Sequence, residues 1–217
     1  MLHNAPFYYG SIRNAIVAFG TMFSDIKIER RNNDGVLIQT VLVPIAYSGK
    51  EKWVTRIEGD PELTKQTQTV LPRLAFEMED FTYDSSRKVG RMNTVSVMNS
   101  DSTAEIQYSP VPYNVNIALY LLTKTTEDAL AVAEQVLPFF TPEYTVYVDS
   151  IPELGIVNQV PVLLNNVDCQ DEYDGDFLTS RKITYTFNFT MKLNIYGPIK
   201  TKDVINTTST SNQFIII

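Results

Sequence analysis

Asp168-Cys169-Gln170-Asp171-Glu172-Tyr173-Asp174-Gly175-Asp176 places five carboxylates within nine residues. Carboxylate oxygens suit hard cations, and a bound cation can activate water for hydrolysis. A calcium-loop template tests the idea. Aligning its obligatory glycine with Gly175 puts Gln170, Glu172 and Asp174 at the first three ligand positions and Arg181 at the last. The first and last ligands are therefore wrong for that loop. The competing reading is an acidic turn between two strands, bent at Asp174-Gly175, which serves as a contact patch or repels DNA.

Other chemistry is sparse. His3 is the chain's one histidine, so neither a histidine-based triad nor a two-histidine metal site can be built within one copy. Cys169 has no second cysteine and no histidine nearby, which argues against a catalytic thiolate. Ser48-Gly49-Lys50-Glu51 looks like the end of a phosphate-binding loop, but the first glycine position is Pro44 and Glu51 follows the lysine. Both departures exclude a nucleotide site. Ser48 and Glu51 fit a capping box instead, opening a short helix to Ile57. The fingerprints of dinucleotide sites, nucleophile elbows and zinc proteases are absent. These observations predict no catalytic residues and no cofactor.

The elements that would position such groups emerge from the composition and the apolar spacing. The chain has 217 residues, 44% of them hydrophobic and 11% aromatic, a globular profile with enough length for a real core. Eighteen basic residues face 25 acidic ones, for a net charge of −7. That balance disfavours tight wrapping of nucleic acid and binding to anionic membranes. One cysteine cannot form a disulfide within the chain, so folding in a reducing compartment is expected. No apolar run reaches the roughly 18 residues of a membrane span, and MLHNAPFYYG lacks a signal-peptide pattern.

Ile12, Ala15, Ile16, Phe19 and Phe23 share one face of a helix that Ser11 would cap. Ile26–Arg30 and Val36–Val43 flank Asn33-Asp34-Gly35 and read as a hairpin. Leu74, Phe76 and Met78 alternate with glutamates, then change phase at Phe81 and Tyr83, which predicts a bulge. Residues 84–103 read as a long loop or exposed hairpin with Val95 and Val97 on a strand. A short strand over Ala104–Tyr108 precedes the alternation from Val111 to Leu121, whose last part is apolar on both faces. Thr125-Thr126-Glu127-Asp128 opens a second helix with its buried stripe at Ala129, Val132, Ala133, Val136 and Leu137, ended by Pro138. Tyr144–Val148 and Val157–Val167 are strand-like. Residues 183–195 place Ile183, Tyr185, Phe187, Phe189, Met191, Leu193 and Ile195 at every odd position and polar residues between them. That strand has one buried and one wet face, and its length invites a hairpin reaching toward a neighbour. The expected fold is α+β: a mixed, mostly antiparallel sheet packed against two main helices, with a long projecting strand or hairpin. A single domain over 1–200 and a C-terminal tail or arm over 201–217 are expected.

Several residues suit contacts rather than chemistry. Trp53, the chain's one tryptophan, lies among Lys50, Lys52 and Arg56. It either anchors a short helix to the sheet or centres a basic contact for another protein. Tyr8 and Tyr9, with Arg13 just beyond, flank the start of the first helix, and tyrosine gives large contact area at low entropic cost. Phe214, Ile215 and Ile216 end a polar tail and suit addition of a strand to a partner's sheet edge.

In order along the chain, FYYGSIRNAIVAFGTMFSDIKIER, VPIAYSGKEKW, TVLPRLAFEMEDFTYD, QYSPVPYNVNIALYLLTKTTEDALAVAEQVLPFFTPEY and DEYDGDFLTSRKITYTFNFTMKLNIYGP resemble the tail sheath stabiliser and completion proteins of T4-like contractile-tailed phages. The resemblance runs from about residue 7 to residue 198. It implies a tail-terminator fold and a hexameric ring, a structural virion protein that ends the tail tube and sheath and joins the tail to the neck and head. It implies contacts with the tail sheath protein, the tail tube protein and neck proteins, with DNA passing through the lumen without specific binding and no membrane partner. It places the chain at the tail–neck junction of the virion after assembly in the host cytoplasm. It carries over no catalytic residue. The best-known relatives continue into a long acidic, proline-rich extension, whereas this sequence stops at Ile217. Two other readings stand beside it: a metal-dependent hydrolase using the 168–176 carboxylates, and a monomeric adaptor protein.

Overall fold

A computed structural model describes residues 7–32, 34–49, 71–90, 92–98, 103–151, 154–172 and 182–203. The first helix, α1, spans Ser11–Met22. Its N-cap is Gly10, at φ 69°, a left-handed conformation that glycine adopts without strain. Ser11, expected to cap the helix, is its first residue. Its hydroxyl donates instead to the carbonyl of Ser150 at 2.8 Å, and Asn14 Nδ2 donates to the carbonyl of Asp149 at 3.1 Å. The helix is thereby fastened to a strand far away in sequence.

The expected first hairpin is present as β1 (Lys27–Arg31) and β2 (Leu37–Leu42), closed by Gly35 at φ 78°. Then come β3 (Ile45–Tyr47), β4 (Arg73–Tyr83), β5 (Thr94–Met98), β6 (Thr103–Tyr108) and β7 (Val111–Thr123). The second helix, α2, spans Thr126–Val136, and Thr125 Oγ1 accepts the N–H of Asp128 at 3.3 Å, so the predicted cap is real. A short 3-10 turn, Leu137–Phe139, leads to β8 (Glu143–Ile151), β9 (Ile156–Glu172), β10 (Lys182–Ile195) and β11 (Lys200–Asp203). Leu137, placed on the buried stripe by its spacing, is 43% exposed. Its N–H still bonds to the carbonyl of Ala133, but the α-helix ends at Val136 and Leu137 opens the 3-10 turn that carries Pro138, at the end of the packed face.

The strands form a six-stranded sheet in the order β3-β4-β7-β10-β9-β8, a two-stranded ribbon β1-β2 and a three-stranded sheet β11-β6-β5. The large sheet is antiparallel except for β3, which runs parallel to β4. The fold is thus the mixed, mostly antiparallel sheet with two helices and a long hairpin that the sequence predicts. β5 and β6 pair antiparallel in the region expected to hold a loop or hairpin, and the phase change in β4 is a register skip between Met78 and Asp80.

One face of the sheet carries the main core. Leu74, Phe76, Val115, Ile117, Leu119, Leu121, Phe187, Phe189 and Met191 meet Phe19 and Phe23 of α1 and Ala129, Val132, Ala133 and Val136 of α2. Phe189 is the hub, with ring centroids 5.3 Å from Phe19, 5.7 Å from Phe23 and 5.0 Å from Phe140. Gly20 lets α1 approach closely, since a Cβ there would lie 2.9 Å from Phe76 Cζ.

The other face is also covered near the end of β7, as apolar residues on both sides there predict. Ala75, Ala118, Tyr120 and Leu122 make a second buried cluster, which explains why both faces of β7 are apolar near its end. Below it, the polar positions of β10 are half-buried rather than wet. Asn165 Nδ2 donates to Thr190 Oγ1 and Thr190 Oγ1 to Asn116 Oδ1, each at 2.8 Å, across three strands. Asp168 Oδ2 accepts from Asn166 at 2.8 Å and Asn188 at 3.0 Å. Cross-strand hydrogen bonding lets these groups tolerate partial burial.

Candidate assembly surfaces

The acidic stretch does not converge on a point. Asp168 lies opposite Thr186 and Asp171 opposite Ile183, so strand alternation sends their side chains to different faces of the sheet. Among the described residues, no three His, Cys, Asp or Glu side chains gather as a cation would require. Residues 173–176 of this stretch lie outside the described residues. Cys169 is exposed and hydrogen-bonds with Tyr185, which together with burial pushes the tyrosine hydroxyl above its ordinary range.

Of the residues singled out for contact, Tyr8 is 80% exposed and Arg13 is exposed on α1. Tyr9 plays a structural part: its hydroxyl accepts the N–H of Ile199 at 2.9 Å, and its ring lies 5.7 Å from Phe7. The segment before α1 is thereby pinned to the stretch leading into β11, the strand that contains the expected start of the C-terminal arm. Lys50, Lys52, Trp53, Arg56, Phe214, Ile215 and Ile216 lie outside the described residues, as does the short helix expected up to Ile57.

Arg87 is held closely. Its Nε donates to Asp84 Oδ2 at 2.8 Å, and its Nη2 donates to the carbonyl of Tyr113 and to Asn114 Oδ1 at 3.1 and 3.0 Å. Hydrogen bonds from Ser86 and then Arg87 hold the Asp84 carboxyl well below the usual carboxylate range. This cluster locks the exit of β4 onto β7. Tyr120 donates to Glu77 Oε1 at 2.8 Å, and burial with that carboxylate pushes its hydroxyl well above the ordinary phenol range.

Exposed apolar side chains collect on strands. Every residue of β2 except Val41 is exposed, including Leu37, Ile38 and Leu42. Glu79 to Tyr83 of β4 are all exposed, with Phe81 at 41% and Tyr83 at 45%. On β8, Tyr144 and Tyr147 are 41% and 69% exposed. Among the described residues β2 and β8 lie at sheet edges and β4 is flanked by β3 only as far as Phe76, and edges carry unpaired backbone donors and acceptors. Sequence patterning cannot mark them, because the order of strands in a sheet is not written in local periodicity. The one local clue is apolar residues on both faces of a short strand such as β2.

A helix-backed sheet whose apolar side chains and backbone edges face outward defines a protein built for contacts with other chains. The sequence comparison makes that class specific. The chain belongs to the T4-like virus Myoviridae tail sheath stabiliser family, whose model matches residues 6–214. It is similar to the tail completion protein gp15 of Enterobacteria phage T4, with 28% identity over 214 residues that cover 94% of this chain and 77% of that protein. Membership makes this a structural protein of the phage tail, in the class that stabilises the sheath.

Proposed function

We propose that the chain closes into a hexameric ring that ends the tail tube and the last layer of sheath and presents the surface on which the neck and head are joined. Residues 1–200 act in it as one domain, with the remainder as an arm. The observation that carries this reading is the match of nearly the whole chain to the sheath-stabiliser family. The exposed strands of the large sheet support it, since a subunit that works by contact keeps such surfaces open. Tyr8, Arg13, the basic cluster Lys50, Lys52, Trp53 and Arg56, and the tail residues Phe214 to Ile216 serve as contacts to neighbouring subunits, sheath or tube. The net charge of −7 lets DNA slide through the lumen without lasting attachment. The ring assembles in the host cytoplasm and ends at the tail–neck junction.

Deleting the gene in its own phage tests the reading. The expected result is an accumulation of separate heads and tails, with head joining restored when the purified chain is added to the lysate. Normal virions without the chain would overturn it. Lys52→Glu with Arg56→Glu tests the basic cluster: the pair is expected to abolish joining while the chain still folds.

A further inference from the structure

Register through the large sheet fixes which residues stand at the same height on its two edges. Ile45 of β3 pairs with Leu74, Leu74 with Leu121, Leu121 with Tyr185 and Tyr185 with Cys169 of β9. In the same way Tyr47 stands level with Val167, through Phe76, Leu119 and Phe187. Lower down, Phe81 of β4 stands level with Tyr144 of β8, through Val115, Met191 and Val162.

The two edges therefore have matching steps. On one side, β3 ends at Tyr47 and leaves β4 as the outer strand from Asp80 to Tyr83. On the other, β8 begins at Glu143, level with Leu163, and leaves β9 as the outer strand from Asn165 to Cys169. The upper part of the sheet protrudes by one strand on the β3 side and is recessed by one strand on the β9 side. The lower part does the reverse. Both steps fall at the same height, since Asp80 reaches Leu163 and Glu143 through Asn116 and Thr190. Among the described residues, no strand pairs with the outer edges of β3, of Asp80–Tyr83, of Asn165–Cys169 or of β8.

We propose that copies of this chain join head to tail through these steps. The β3 tongue of one copy enters the recess above the next copy's β8 and pairs with β9. The next copy's β8 enters the recess below β3 and pairs with β4. The strand directions make the upper seam antiparallel and the lower seam parallel. The upper seam sets Ile45 beside Cys169 and the lower seam sets Phe81 beside Tyr144, each pair on the face that carries the main core. The occupant is a second copy because tongue and recess belong to one chain and match in height and in width. Such a contact uses different surfaces on the two partners, so it is heterologous, and it forms a ring where the rotation between successive copies closes. The inference rests on the ring reading and specifies how that ring is sewn.

The test uses the chain's one cysteine. Within a copy, Ile45 and Cys169 are four strand spacings apart, about 19 Å at ~4.8 Å each, whereas a disulfide needs Cα atoms within about 7 Å. A disulfide between residues 45 and 169 therefore reports contact between copies. Full-length Ile45→Cys is oxidised with copper-phenanthroline under conditions where native mass spectrometry detects multimers. The expected result is a ladder of linked chains up to the size of the ring. Ala46→Cys, whose side chain faces the other side of the sheet, is expected to link at least tenfold more slowly. Ile45→Cys with Cys169→Ser is expected not to link. Because Ile45 touches the core, the lower seam gives an independent readout: Phe81→Cys with Tyr144→Cys in a Cys169→Ser background replaces two exposed side chains and is expected to give the same ladder. Multimers that link at neither seam would overturn the seams and leave the ring reading standing. A product that stops at the dimer would show a two-fold contact and also overturn them. A chain that is monomeric at every concentration would overturn both the seams and the ring.

Discussion

Gly20→Ala sets helix propensity against packing. Gly20 lies inside α1, where alanine is favoured over glycine by about 1 kcal/mol. The added methyl would stand 2.9 Å from Phe76 Cζ and 3.1 Å from Cε1, well inside van der Waals contact. A ring tip can often swing away, but this ring is 5% exposed and held between Phe19, at 5.4 Å between centroids, and Tyr47, at 5.3 Å. Overpacking of a filled core costs about 1–3 kcal/mol, so the clash outweighs the propensity gain and the net loss is about 1 kcal/mol. With an m-value of about 2.5 kcal/mol/M in urea, the midpoint should fall by about 0.4 M. The assay is urea unfolding followed by circular dichroism at one fixed protein concentration, because association would shift the midpoint by mass action. Phe76→Leu in the same chain makes room for the methyl, so Gly20→Ala should then become neutral or stabilising, a coupling of about 1 kcal/mol. A Gly20→Ala chain more stable than the parent, with Phe76 intact, would refute the reasoning.

Other outcomes follow from the same geometry. Phe189→Ala removes the hub of the aromatic cluster and should cost about 3–5 kcal/mol by thermal or urea unfolding. Thr125→Ala removes the cap of α2 and should cost about 1 kcal/mol, while Thr125→Ser should be nearly neutral. Tyr120 has its hydroxyl pushed above the ordinary phenol range in the folded chain, so the stability it contributes is complete below pH about 10. That contribution declines as pH rises beyond this value toward the folded-state pKa. In an alkaline titration followed by phenolate absorbance, Tyr120→Phe should remove one late-titrating group and flatten the loss of stability above pH about 10.

Local periodicity carried much of the architecture. The alternation from Ile183 to Ile195 gave β10, and the capping residues at Thr125 gave the start of α2. Both signals arise from neighbours along the chain, which is why a sequence can hold them. What periodicity could not hold was set by distant partners. Ser11 turned from cap to clamp because Ser150 lay within reach of its hydroxyl. The polar face of β10 was half-buried because Asn116, Asn165 and Asp168 arrived beside it from other strands. Of the residues proposed as contacts, Tyr8 is exposed, whereas Tyr9 beside it is fixed inward by Ile199, a partner that no local pattern announces. The acidic run drew attention as a possible cation site, but a strand separates neighbouring carboxylates onto opposite faces. The stepped edges depend on strand order and relative register, neither of which any window of sequence contains.

The proposed role of this tail protein is to close copies of itself into a ring. Single-particle imaging of the purified chain, and of tails that carry it, tests this most directly. The expected image is a closed ring of one size with protomers side by side and their large sheets edge to edge. Isolated protomers on the tail, or monomers in solution and on tails alike, would contradict it.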